Sequence, residues 1–315
     1  TDVSNASRTM LMDLKKAKWS EEALEILKLP KKILPEIKDS NAHFGVTKGI
    51  VGLPNGIPIT GVLGDQQAAL FGQACFKAAQ MKVTYGTGAF LLLNTGESIV
   101  RKKGALSTMA WSINGKKTYA LEASVFVAGA AVQWLRDQMG FVENASEIEK
   151  LASECDNTRG VYLIPAFAGL GSPYWKSDAR AIIGGLHRGS EKSHIARACL
   201  EGIAHSVSDV VELLESKSPK KLKSLRVDGG ASLNELLMQM QSDQLQLEVE
   251  RPEDIESTAR GAAFMAALGA DDTLKLSDLA KKVRVDKSWK KSKKKSWAAN
   301  VRKQWVDRIR QLYGS

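Results

Sequence analysis

Leu225-Arg-Val-Asp-Gly-Gly230 is an apolar strand that stops on paired glycines, and the residues after it alternate between helical and strand patterns. Ser232 to Leu245 reads as a helix, Leu247 to Glu250 as a strand and Ser257 to Leu268 as an Ala-rich helix. Strands joined through helices predict parallel pairing in this half. Working back, Ser193 is the expected cap of the strongest amphipathic helix, which lays Ile195, Leu200, Ile203, Val207, Val210 and Leu214 along one face. Val161 to Pro165 reads as a buried strand, and Phe126 to Met139 and Ala145 to Cys155 as helices. Earlier still the pattern changes to paired strands, Val83 to Tyr85, Phe90 to Asn94, Thr108 to Ile113 and Lys117 to Leu121, with Asn114-Gly115 as a type I′ hairpin turn. Ile59 to Leu63 is an expected strand that turns at Gly64-Asp65 into a helix, Gln66 to Cys75.

Three strands, helix, strand, helix, strand, helix is a ribonuclease-H-like order, an α/β fold. At 315 residues with 43% hydrophobic side chains the chain can bury substantial cores, and 26 glycines against 8 prolines suit tight strand-to-helix turns. Cys75, Cys155 and Cys199 are widely spaced and form no C-x-x-C pattern, so neither a disulfide framework nor a zinc site is indicated and a reducing cytoplasm fits best. No apolar run reaches the length of a bilayer span. Much of the net charge of +10 sits between Lys287 and Lys295, ahead of a helix with Trp297, Val301, Trp305, Ile309 and Leu312 at helical spacing. That run reads as a solvated loop rather than a nucleic-acid site.

Four groups of residues suggest chemistry. In Gly64-Asp65-Gln66-Gln67, an acid at the junction of strand and helix can accept a proton from a substrate alcohol, with Gln66 hydrogen-bonding a second hydroxyl; the competing assignment makes Asp65 the helix N-cap. Tyr85-Gly-Thr87-Gly88 lets backbone and a hydroxyl approach a phosphate, or is an ordinary hairpin. Asp228-Gly-Gly230 with Asn234 opens a helix and can cradle a nucleotide, or is a plain strand-to-helix turn. Gly129 and Gln133 lie in a helix of small residues, which can equally mark close helix packing with Gln133 on the surface.

Asn5-Ala-Ser-Arg-Thr-Met10, Gly64-Asp-Gln-Gln-Ala-Ala-Leu-Phe-Gly-Gln73, Tyr85-Gly-Thr-Gly88, Gln133-Trp-Leu-Arg-Asp137, Pro165 to Trp175 and Arg226-Val-Asp-Gly-Gly230 resemble, in order and spacing, the glycerol-phosphorylating members of the FGGY carbohydrate kinase family. The resemblance implies actin-like domains closing over ATP and glycerol, with Mg²⁺ on the phosphates. It implies Asp65 as general base, Gln66 and Phe90 in the substrate pocket, and Thr87, Gly129, Gln133, Gly230 and Asn234 around the nucleotide, with no protein residue assigned to the metal. Residues 1–74 would be the C-terminal remnant of the family's first domain and 75–315 its C-terminal, nucleotide-binding domain. The acidic, Gly-Thr-rich hairpin that opens the family's first domain has no counterpart here, so the expectation is a chain lacking that N-terminal part. A homodimer or homotetramer of the full-length protein is expected. The alternatives are a non-catalytic nucleotide-binding module and a kinase of another polyol or a ketose.

Overall fold

The computed structural model describes residues 1–218 and 220–314. Its centre is a seven-stranded sheet: β1 (Met81–Tyr85), β2 (Ala89–Gly96), β3 (Leu106–Ile113), β4 (Lys116–Val125), β5 (Ser224–Asp228), β6 (Glu248–Pro252) and β7 (Val285–Trp289), in the spatial order β7-β6-β5-β1-β2-β4-β3. β5 lies parallel to β1 and to β6, and every other pairing in this sheet is antiparallel. Asn114 and Gly115 join β3 to β4 with φ of 50° and 78°, the two left-handed residues that a type I′ turn requires.

Both faces of the sheet are covered, and β2 is apolar on both sides. Leu91 and Leu93 of β2 pack with helices α2 (Gly129–Asp137), α3 (Lys192–Glu215) and α4 (Glu235–Leu245) through Leu135, Leu200, Ile203, Val207 and Met238. Leu92, one residue out of phase, faces α1 (Asp65–Gly72) and α5 (Ser257–Ala270) with Phe71, Trp111 and Met265. A last helix, α6 (Lys295–Tyr313), buries Trp305 and Ile309 outside the sheet.

Several expected boundaries move. Glu191, not Ser193, is the N-cap of α3: it forms a reciprocal capping box with His194, whose Nδ1 accepts from the Glu191 amide at 3.1 Å, while Ser193 is buried in the first turn. Of the expected strand at 59–63, only Ile59 pairs, in the short strand Pro58–Ile59 against Gly45–Val46. The residues after it are claimed by α5 instead. Thr60 donates its hydroxyl to Ala266 O at 2.8 Å, and a Cβ on Gly61 would stand 2.3 Å from Ala266 N. The helix expected from Phe126 starts at Gly129, because β4 runs on to Val125. The helix expected from Ser232 is a 3-10 turn, Gly230–Leu233, followed by α4, whose N-cap Asn234 accepts from Leu237 N at 2.8 Å. The expected strand at 161–165 pairs as Tyr162–Ile164 with Ile182–Gly184, outside the main sheet.

α1 and α5 touch backbone to backbone. A Cβ on Gly261 would lie 1.8 Å from Ala68 O, and one on Gly72 would lie 1.9 Å from Ser257 O. Gly261→Ala therefore forces these helices apart and should lower stability by about 1–3 kcal/mol, the usual range for overpacking. Denaturant unfolding checks this, and an unchanged midpoint refutes the contact.

Candidate functional site

The parallel strands β1 and β5 end side by side, and the chain leaves each through glycine. Gly229 has φ of 82°, and a Cβ on it would stand 2.5 Å from Tyr85 O. Across the same edge a Cβ on Gly88 would meet Val125 O at 2.5 Å, and one on Gly129 would meet Gly86 O at 2.6 Å. The Gly86-Thr87-Gly88 turn is bonded to the start of α2: Gly129 N donates to Gly86 O at 2.9 Å, and Ala128 N and Ala130 N donate to Thr87 O at 2.8 and 3.1 Å. These bonds leave the Thr87 side chain exposed above the turn.

A cavity of about 410 Å³ opens beside this edge, with Thr87, Gly129, Gln133, Gly230 and Asn234 all in its wall. Its deeper wall is apolar, from Ile148, Leu200, Ile203 and Leu237. This composition, an apolar slot with a few convergent polar groups, is that of a small-molecule site. A Cβ on Gly230 would meet no protein atom within 4 Å, so that glycine keeps space open rather than making a close backbone approach. Asn234 spends its side-chain oxygen on the α4 cap, which leaves its amide N–H groups for the cavity. Gln133 is exposed at the margin, as its surface assignment also required.

Asp65 is the first residue of α1 and not its cap; Gly64 holds the cap position. The exposed Asp65 carboxylate accepts from Gln66 N at 2.8 Å and from Gln66 Nε2 at 3.3 Å. Gln66 Oε1 in turn accepts from Lys82 Nζ at 2.5 Å, and the same ammonium donates to Thr84 Oγ1 at 2.8 Å and Phe90 O at 3.4 Å. One buried cation thus joins α1, β1 and β2. Thr84 lies three residues before Thr87, roughly 10 Å of extended chain, so this cluster and the cavity share one sheet edge. Phe90 stands opposite Thr84 on β2 and is 38% exposed.

The pleat carrying Thr84 is unusually polar for a central sheet. Lys82 and Thr84 of β1 share it with Glu122 of β4 and with Asp228 of β5, which pairs directly with Thr84. Arg8 Nη2 bonds Glu122 Oε1 at 2.9 Å, and Gln73 Nε2 donates to Asp228 Oδ2 at 3.1 Å. Burial raises the Glu122 pKa above the ordinary carboxylate value, with Arg8 opposing it. Burial pushes the Lys82 ammonium down to about 8, with Asp228, Glu122 and Asp65 working the other way. None of Lys82, Glu122 or Arg8 was singled out from sequence. The available signal was a charged residue inside an apolar run on the same pleat as Thr84, as in Met81-Lys-Val-Thr-Tyr85 and Leu121-Glu-Ala123.

Comparison with known proteins agrees with this geometry. The model of the C-terminal domain of the FGGY family of carbohydrate kinases matches residues 81–270, and that of the N-terminal domain matches residues 1–72. The chain is 52% identical over 292 residues to a glycerol kinase of Bdellovibrio bacteriovorus, covering 92% of this chain and 59% of that protein. It is 55% identical over 269 residues to a glycerol kinase of Clostridium botulinum strain Langeland, covering 85% and 54%. It thus spans between half and three-fifths of the length of these relatives. The crystal structure of Plasmodium falciparum glycerol kinase with ADP superposes with a TM-score of 0.93 at 38% identity, over all of this chain and 63% of that one. A xylulose kinase from Lactobacillus acidophilus shares the fold, with a TM-score of 0.86 at 21% identity. With its actin-like, ribonuclease-H-like sheet and both domain models matched in order, the chain belongs to the FGGY family of carbohydrate kinases.

Proposed function

We propose that this protein is an ATP-dependent glycerol kinase, transferring the γ-phosphoryl group to a terminal hydroxyl of glycerol to give sn-glycerol 3-phosphate in the cytoplasm. The observation that carries the reading is the shared edge: Asp65 and Gln66 at the head of α1 are tied through Lys82 to Thr84, just before a glycine turn that borders a nucleotide-sized cavity. The relatives at 52% and 55% identity bear the name glycerol kinase, which favours glycerol over another polyol or a ketose. The xylulose kinase likeness, at 21% identity, concerns the fold alone.

In this reading ATP lies in the cavity with its base and sugar near Gly230 and Asn234, against Gly129 and Gln133, and its phosphates toward the Thr87 hydroxyl. Glycerol lies beside Asp65 and Gln66, with the partly exposed Phe90 ring against its carbons. Asp65 takes the proton of the attacking hydroxyl. That transfer is a modest part of the rate, because phosphoryl transfer depends mainly on positioning and on neutralising phosphate charge. Mg²⁺ would supply much of that neutralisation. Among the described residues no three acidic, histidine or cysteine side chains gather as a metal cluster, and a buried carboxylate oxygen at this edge, Asp228 Oδ1, has no partner. Such a donor set fits a cation held chiefly by phosphate oxygens and water. We further propose a domain division near residues 74 and 75 and a homo-oligomeric assembly. No helix among the described residues is long and apolar enough to cross a membrane.

Replacing the base tests the chemistry. In the full-length protein Asp65→Asn should lower glycerol-dependent ADP formation by about 10²–10⁴-fold, with ADP affinity little changed; normal turnover in that variant would sink the assignment. Gly230→Val tests the pocket, since its side chain enters the open space beside that glycine. Calorimetry should show ADP binding weakened by roughly tenfold or more, a loss of 1.4 kcal/mol per decade, while the unfolding midpoint stays put. Undiminished affinity would place the nucleotide elsewhere.

A further inference from the structure

Lys82 is 0% exposed in the middle of a sheet, where an ammonium loses its hydration and must recover it from neighbours. Its three N–H groups can only donate, and the three acceptors it finds are all neutral: Gln66 Oε1, Thr84 Oγ1 and Phe90 O. It makes no hydrogen bond to Glu122 or Asp228, which bond Arg8 and Gln73 instead and reach the ammonium only through their fields. Its three hydrogen bonds therefore go to the neutral acceptors around Gln66 and not to those acids.

The consequence falls on Gln66. A side-chain amide has an oxygen end and a nitrogen end of nearly equal shape, and only its partners decide which way it points. Here the oxygen faces a group that can only donate, while the nitrogen faces the Asp65 carboxylate, which can only accept, at 3.3 Å. Reversal would set NH₂ against NH₃⁺ and oxygen against carboxylate, two repulsive contacts in place of two attractive ones.

We propose that Lys82 is a positioning residue for the phosphoryl acceptor: by anchoring the Gln66 carbonyl it holds the Gln66 amide nitrogen outward beside Asp65, with one N–H free for a substrate hydroxyl. A glycerol oxygen would then accept from Gln66 while a neighbouring hydroxyl gives its proton to Asp65. This rests on the glycerol kinase reading of Asp65 and Gln66. The charge that does the anchoring persists at neutral pH, since burial brings the ammonium down only to about 8.

Lys82→Met in the full-length protein keeps the buried stem and removes the ammonium. The glycerol KM should rise roughly tenfold, the worth of one hydrogen bond of about 1.4 kcal/mol, while the KM for ATP and the affinity for ADP hold. In a Gln66→Ala background the same substitution should have no further effect on the glycerol KM, because the two residues act as one unit. A purely structural lysine would instead lower stability without separating the two KM values. A glycerol KM unmoved in Lys82→Met, or an undiminished effect in the Gln66→Ala background, overturns the proposal. If Lys82→Met does not fold, Gln66→Glu decides: it leaves Lys82 a better anchor but removes the outward donor, so its glycerol KM should rise, and a wild-type value refutes the idea. An unmodified protein that does not phosphorylate glycerol at all overturns the functional reading and this inference with it. Normal turnover with an unmoved KM overturns only Lys82.

Discussion

Three backbone segments meet at the carboxyl edge of β1 with no room for a Cβ among them. Gly229 abuts Tyr85 O, Gly129 abuts Gly86 O, and Gly88 abuts the carbonyl at the end of β4. Because each contact is backbone against backbone, no rotamer change can relieve an added methyl group. The turn at 86–88, the head of α2 and the start of the 3-10 turn at Gly230 are therefore held in one arrangement, and the cavity is the space left between them. Its polar wall consists of whatever these rigid termini present: a threonine hydroxyl, an open glycine and the spare amide of a helix cap.

The same edge divides by pleat. Met81, Val83 and Tyr85 point into the apolar layer under α3 and α4, while Lys82 and Thr84 point toward α1. A one-residue slip of β1 would bury the ammonium among leucines and set the apolar side chains against the polar cluster under α1, so register is strongly specified here. The cost of burying a charge is several kcal/mol even after relaxation. It is offset by three acceptors at the ammonium and by the fields of Asp228, Glu122 and Asp65. The polar cluster is fed by α1, which lies against α5 at glycine-only distance. Asp65 is thus set by helix packing from one side and, from the other, by Gln66, which Lys82 anchors.

Much of the cavity wall was legible in the sequence. Gly86, Thr87, Gly230 and Asn234 belong to short turns whose residue types announce them, and the structure gathers Thr87, Gly129, Gln133, Gly230 and Asn234 around one cavity. The polar cluster under Asp65 was not legible. Arg8 and Glu122 lie 114 residues apart, and Gln73 meets Asp228 across 155, so no local pattern joins them. Lys82 lies one residue before the expected strand, Val83 to Tyr85. The α3 cap was misassigned for a related reason: both Glu191 and Ser193 can cap, and only the burial of Ser193 against the core decides between them.

The residue pattern alone determined the alternation of strand and helix, the hairpin at Asn114-Gly115 and the glycine turns, since these follow from hydrophobic period and from the φ values that only certain residues tolerate. Tertiary structure alone decided that β2 lies between β1 and β4 with β3 outermost, that Thr60 and Gly61 pack on α5 rather than continue a strand, and that Lys82 reaches Gln66. Those outcomes depend on which distant backbones approach closely enough to exclude side chains, a competition among contacts far apart in sequence that local propensity does not encode.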